Sequence, residues 1–329
     1  MRWLKKSLKI AGITLLSLVL LAFIIPVVFK KQVQALVKRE INKQINAKVD
    51  FTDVKLSLFR HFPRATISIK GLSIVGKDYF SKDTLIAASK IDITAGLFSV
   101  LKGKDIKVHG LYVQQPRIHL LVNRFGKVNW DIAKASTDSI AAKDTTASAF
   151  KLSLKKYKIS NGYLEYSDKQ SDTYTELKEL NHSGSGNLTA DVFTLSTSTD
   201  ASSASFVQDG IPYLTNTKAD LDAAIQIDNK TNTYRFKTND IQLNALKLSA
   251  DGFVHLLDAG SVNMDFRFSS PTNDFKNILS MVPAIYTKDF SKIKTSGEAQ
   301  FNGFVKGIYS PQQLPAYDVN LLVKNASFQ

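Results

Sequence analysis

The chain is predicted to be mainly β, with an N-terminal transmembrane helix and an amphipathic helix ahead of an extended antiparallel sheet. Three observations carry this: an uncharged apolar run of twenty residues near the start, a short stretch of helical periodicity after it, and period-2 alternation through most of the remainder.

The apolar run, Ile10–Phe29 (IAGITLLSLVLLAFIIPVVF), is flanked by Arg2, Lys5, Lys6 and Lys9 before it and by Lys30 and Lys31 after it. A helix of that length rises to roughly 30 Å, the hydrocarbon thickness of a bilayer. A cleaved signal peptide is the rival, but its apolar core runs about 7 to 15 residues before an A-x-A-like site. Neither feature is present, and the cysteine-free chain has no lipid-modified cysteine. An uncleaved single-span anchor over residues 1–31 is therefore expected, with Ile10, Leu15, Leu20 and Phe29 inside the membrane. Basic residues near the span number four before and six after, yet long domains cross membranes largely regardless of charge. The body is expected on the exported side.

The net charge of +14 is uneven: residues 1–31 carry +6, residues 32–130 carry +10 and residues 131–329 carry −2. Such a gradient suits anionic headgroups, at roughly 1 kcal/mol per surface Lys or Arg. Nucleic acid is a poor partner, because the lysines are spread singly rather than clustered with stacking aromatics.

After the run, Val33, Leu36, Val37, Ile41 and Ile45 recur at helical spacing with polar residues opposite, which predicts the amphipathic helix as a cap on a sheet or on the membrane surface. From Val49 the period becomes 2. Ile67 and Ile69, Ile91 and Ile93, Ile106 and Val108, and Ile118 and Leu120 each straddle a polar residue. These eight are expected to face inward. The alternation resumes at Leu152 and Leu154, Ile225 and Ile227, Tyr234 and Phe236, Ile241 and Leu243, Val262 to Phe268, and Val319 to Val323. Period 2 fits an open sheet and a closed β-sandwich equally.

Turns are expected at Arg124–Gly126, Asp168–Ser171, Asp228–Lys230 and Asp258–Gly260, and a bulge at Gly71. Residues 133–150 hold little that is large and apolar, so a flexible linker is expected between a first β module (32–132) and a second (151–329). Phe275, Ile278, Leu279 and Val282 share a helical face ended by Pro283. Because the strand Val319–Phe328 is still under way at Gln329, the second module is expected to be incomplete at its C-terminus.

Catalytic and metal motifs are missing from the sequence. His61, His109, His119, His182 and His255 are scattered without H-x3-H or HExxH spacing, and a chain without Cys has no thiolate nucleophile or Cys-based zinc site. Ser183-Gly184-Ser185-Gly186 matches neither a P-loop nor a nucleophile elbow and reads as a loop. The expectation is a non-enzyme with no catalytic residue, metal or cofactor.

Several segments in succession resemble the AsmA-like family of envelope proteins. They are the anchor, then Val54–Pro63 leading into Ile67 and Ile69, Gly110–Val113 with Gln115–Ile118, Gly126-Lys127-Val128-Asn129-Trp130, Ile159–Tyr166 and Pro315-Ala316-Tyr317. The resemblance implies an elongated, curved β-groove related to bridge-like lipid transfer proteins, anchored in the bacterial inner membrane with its body in the periplasm. The implied role is carrying phospholipid toward the outer membrane or maintaining that membrane, with envelope proteins as further partners. The eight inward residues are then candidates for the lipid groove, and Trp130 is a packing anchor.

Overall fold

The computed structural model describes residues 24–25, 27–61, 64–102, 106–132, 150–257, 261–271, 273–279, 295–310 and 313–328. Ile10, Leu15 and Leu20 lie outside these residues, as do most of the expected linker, the Asp258–Gly260 turn and Val282. Among the described residues no helix is long and apolar enough to cross a membrane.

Helix α1 (Lys30–Gln44) forms where the sequence changes to a spacing of three and four, and it buries Val33, Leu36 and Val37. Phe29 continues it backwards: its N–H donates to the Ile25 carbonyl at 3.0 Å and its own carbonyl accepts from Val33 at 2.9 Å. The apolar stripe lies on the first strands, β1 (Lys48–Asp50), β2 (Asp53–His61), β3 (Arg64–Val75) and β4 (Thr84–Gly96). There Val54, Leu56, Leu58, Ala65, Ile67, Ile69, Leu72, Ile74 and Leu85 join it in one core. A short helix α2 (Leu97–Lys102) adds Val100.

The sheet continues through β5 (Ile106–Gln114), β6 (Arg117–Val122), β7 (Phe150–Asp168), β8 (Thr173–Ser185), β9 (Val192–Gln208), β10 (Ile211–Asp228), β11 (Thr233–Leu243) and β12 (Leu246–Leu256). It ends with β13 (Val262–Ser269), β14 (Asn273–Asp274), β15 (Thr295–Tyr309) and β16 (Ala316–Phe328), with the short helix α3 (Phe275–Leu279) after β14. All sixteen described strands belong to one sheet, in the order β1-β3-β4-β5-β7-β8-β9-β10-β11-β12-β13-β15-β14, with β2 beside β3, β6 between β4 and β7, and β16 beside β15. Among the described residues no second sheet closes it into a sandwich.

The sheet is mixed rather than wholly antiparallel. Strands β5 and β6 form one interrupted rail, and both pair with β7 in parallel, Ile106 opposite Phe150 and Val122 opposite Asp168. The cause is topological. The chain leaves β6 at Val122 and starts β7 back at the Ile106 end, and a parallel pair needs a crossover of about a dozen residues or more, which segment 123–149 supplies. Phe150, assigned to the linker on sequence grounds, is already the first residue of β7. One sheet thus runs across the boundary between the two predicted modules.

A line of left-handed residues crosses this sheet. Gly71 in β3 (φ 59), Gln115 between β5 and β6 (φ 48), Asn161 in β7 (φ 51), Glu179 in β8 (φ 50) and Asn216 in β10 (φ 48) are neighbours through the pairings of these strands. Each flips the phase of its strand, so the buried positions change from Ile67 and Ile69 to Leu72 and Ile74. The expected bulge at Gly71 is not one. Lys70 faces Lys90 and Leu72 faces Ala88 with no inserted residue, because β4 changes phase together with β3. A strand that flipped alone would turn its apolar side chains away from those of its neighbours, so the flips line up. Backbone donors freed at this seam are satisfied locally: Asn161 N–H donates to Asn181 Oδ1 at 2.9 Å and Asn216 N–H to Ser205 Oγ at 3.2 Å.

Turn chemistry follows the sequence. Asp168 Oδ1 accepts from the N–H groups of Gln170 and Ser171, and Asp228 Oδ1 accepts from those of Lys230 and Thr231. Gly126 takes φ 71 in the turn after β6, where Asn129 is buried and pins the return, accepting from Leu121 N–H and donating to the His119 carbonyl. Ser183–Ser185, read as a loop, is strand β8: the Tyr157 ring lies over Gly184, and a Cβ there would come within 2.3 Å of it. A glycine expected to mark a loop is therefore a place where an aromatic ring needs room.

Candidate functional site

Pairing partners in a sheet point to the same face, so the register shows how the apolar sides connect. Ile67 pairs with Ile93, Ile93 with Leu111 and Leu111 with Tyr157. Ile69 leads through Ile91 and Val113 to Ile159, then to His182, Thr199, Leu221, Ile241 and Leu248. Further along, Ile225, Phe236, Gly252, Phe266, Val305 and Tyr317 form one row, and Leu256, Val262 and Tyr309 lie on the same side. One largely apolar face therefore runs from β3 to β16, interrupted at β8 and β9 by His182 and Thr199.

Its two ends differ in cover. Ile67 and Ile69 are 0% and 4% exposed beneath α1, whereas Leu321 is 55% and Val319 58% exposed on β16. The Phe236 and Phe266 ring centroids lie 5.2 Å apart and those of Phe268 and Phe301 6.3 Å apart, so the open part of the face is built from aromatic pairs.

The reverse face is polar over the first strands and carries the exposed apolar residues Phe304, Ile308 and Leu322 at β15 and β16. Asp92 accepts from Ser68 Oγ and pairs with Lys90 at 2.7 Å, with side chains 6% and 15% exposed. Past the seam the Tyr163 hydroxyl lies 2.9 Å from both Glu165 Oε2 and Glu176 Oε1. Burial and then these two carboxylates push its pKa well up. The Arg117 guanidinium sits 5.6 Å from the centre of the Tyr163 ring, beside an open concavity of about 890 Å³ bordered by Ser73, Gln115 and Lys178.

The eight groove candidates fall into four groups. Ile67 and Ile69 are core, sealed by α1, and Ile91, Ile93 and Leu120 pack partly buried against that core. Val108 pairs with Ala95, keeping to the Ile93 side across a register shift at His109, and Ile118 pairs with Ile86; both are half-buried. Ile106 is placed by its backbone alone, at the start of β5 opposite Phe150. The wider open face, Phe236, Phe266, Phe268 and Leu321, was visible as alternation but was not singled out. Trp130 is 38% exposed, with its ring 6.2 Å from that of Tyr166.

Sequence reasoning discounted a polar station within the apolar face. His182 Nε2 lies 2.9 Å from the Tyr157 hydroxyl and Nδ1 lies 2.8 Å from Thr199 Oγ1. The signal that finds it is the phase flip at Glu179, which turns His182 to the same side as Leu177 and Leu180. Among the described residues no group of three or more His, Cys, Asp and Glu side chains could hold a metal ion.

The model of the AsmA family matches residues 4–295. The chain belongs to the AsmA family. No curated protein matches it by sequence. The AsmA match takes in the apolar run, α1, the seam and the open face as far as the start of β15. AsmA membership points to an envelope-associated function.

Proposed function

We propose that this chain offers an apolar groove for phospholipid passing between the inner and outer membranes of a bacterial envelope, and so supports outer-membrane homeostasis. Residues 1–31 hold it in the inner membrane by a single span and the body works in the periplasm, without catalysis, cofactor or nucleic acid. The observation that carries this reading is the largely apolar face from β3 to β16, covered by α1 at one end and open at the other.

The energetics favour such a surface. Two acyl chains of about sixteen carbons expose about thirty-two methylenes to water, at about 0.8 kcal/mol each, a barrier on the order of 25 kcal/mol. A face of alternating apolar residues removes much of that barrier while the polar alternates stay hydrated.

The test is mass spectrometry of phospholipid copurifying with the full chain. Phe236→Asp with Phe266→Asp is expected to lose most bound phospholipid at an unchanged β-rich circular dichroism spectrum, while Arg235→Glu on the reverse face keeps it. Full phospholipid occupancy in the folded double variant would overturn the proposal. A second reading, a structural or chaperone-like factor that recruits outer-membrane proteins through a sheet edge, draws on β16, which pairs on one side with β15. It predicts partner binding that survives the Phe236 and Phe266 changes.

A further inference from the structure

Large aromatic side chains stand out at both ends of the helix-capped part of the fold: Phe98 at one end, and Tyr79 together with Phe125, 81% exposed in the turn after β6, at the other. Phe98, on α2, is 74% exposed, and Tyr79, in the turn between β3 and β4, is 75% exposed. The path of α1 decides which end approaches the membrane. Its first residue is tied to the start of β2, Lys30 Nζ lying 3.2 Å from Asp53 Oδ1, and Asp53 pairs with Lys70 of β3. Its last turn lies at the other end of β3: Asn46 N–H donates to the Ile132 carbonyl, and Lys77 Nζ donates to Asn46 Oδ1 at 2.7 Å.

The helix therefore runs in the same sense as β3, and the chain before Lys30 projects back toward Arg64. Arg64 pairs with Gly96, the residue before α2. Ile25 and Phe29 pack against the same core as α1. Ile25 and Phe29, described residues at the end of the apolar run, thus approach the body on the side of α2 and Phe98, away from Tyr79.

At this end, Leu97 and Val100 face the core, which leaves Phe98 pointing out. Helix α2 carries no acid and ends on Lys102, and Arg64 beside it is exposed. Val27 and Val28, on the approaching segment, are 76% and 59% exposed. Exposed apolar and aromatic groups with flanking cations suit the interfacial zone of a bilayer, where a ring is buried among headgroups and cations meet anionic lipid. The Tyr79 turn instead mixes Lys77 and Lys82 with Asp78 and Asp83.

We propose that the α2 end is a membrane-docking foot, in which Phe98 enters the headgroup region of an anionic bilayer while Arg64 and Lys102 hold its surface. This rests on the reading of Ile10–Phe29 as an anchor.

Because the chain has no cysteine, Phe98→Cys and Tyr79→Cys each give a single labelling site on the full chain. Each carries an environment-sensitive fluorophore and is reconstituted with phosphatidylethanolamine and phosphatidylglycerol vesicles containing brominated lipid. The label at position 98 is expected to shift to the blue and to be quenched several-fold more strongly than the label at 79. Flotation with the vesicles reads the anchor separately. A chain that floats with equal quenching at both positions overturns the docking alone, and a chain that does not float overturns the docking together with the anchor on which it rests.

Discussion

Tyr157 and His182 meet through a 2.9 Å contact between hydroxyl and Nε2 in the middle of a face that is otherwise largely apolar. Thr199 holds the other ring nitrogen, so both partners of the imidazole are hydroxyls that can donate or accept. Hydrogen bonding therefore does not bar the protonated ring; burial does, and it lowers the His182 pKa below 6.5. The unfolded chain then binds the proton more readily than the folded one, so stability is full above the unfolded value and is lost as pH falls through 6.5. The melting temperature of the chain is expected to drop more between about pH 7 and pH 5 than that of His182→Gln. Parallel curves would assign the loss to other groups.

Gly184 makes room for Tyr157. A Cβ at this position would lie 2.3 Å from the ring, so Gly184→Ala is expected to cost about 1–3 kcal/mol in urea unfolding. Tyr157→Ala frees the space, and the double variant is expected to lose less than the sum of the single changes. Simple additivity would mean that the ring moves aside freely.

The covered and open ends of the apolar face predict opposite tolerance. Ile67→Ala is expected to cost about 2–5 kcal/mol, because a fully buried side chain leaves a cavity under α1. Leu321→Ala, more than half exposed, is expected to change stability by under about 1 kcal/mol. Thermal unfolding of the two variants side by side checks this, and equal losses would mean that β16 is covered in solution.

The seam gives a backbone prediction. Asn161 sits at φ 51, a region that asparagine and glycine enter easily and a β-branched residue enters at a cost of about 1–2 kcal/mol. Asn161→Gly is expected to be close to neutral and Asn161→Val destabilising by about that amount, read from denaturant midpoints. A neutral Val variant would show that β7 can straighten without loss.

Much of this was legible locally. The spacing of Val33, Leu36 and Val37 foretold the face that α1 buries, and, of the alternating residues, Ile67, Ile69, Ile91, Ile93 and Leu120 belong to or pack against the same core. Gly71 announced a change of phase, but a single strand does not reveal that its neighbour changes with it. Ser183–Gly186 was misread because small residues suit a loop and also a strand lying under an aromatic ring. His182 was passed over because its partners, Tyr157 and Thr199, are far from it in sequence.

The amino-acid sequence by itself determined that the chain makes strands with one apolar side each, where those strands turn, and that a helix with one apolar stripe precedes them. These follow from side-chain periodicity and turn chemistry, which act over a few residues. Only the tertiary structure decided that the described strands share a single mixed sheet, that their phase changes align, and that α1 covers Ile67 while Leu321 stays open. Pairing partners and solvent cover depend on contacts between distant segments, and an apolar side chain carries the same signal whether a helix, a second sheet or nothing lies over it.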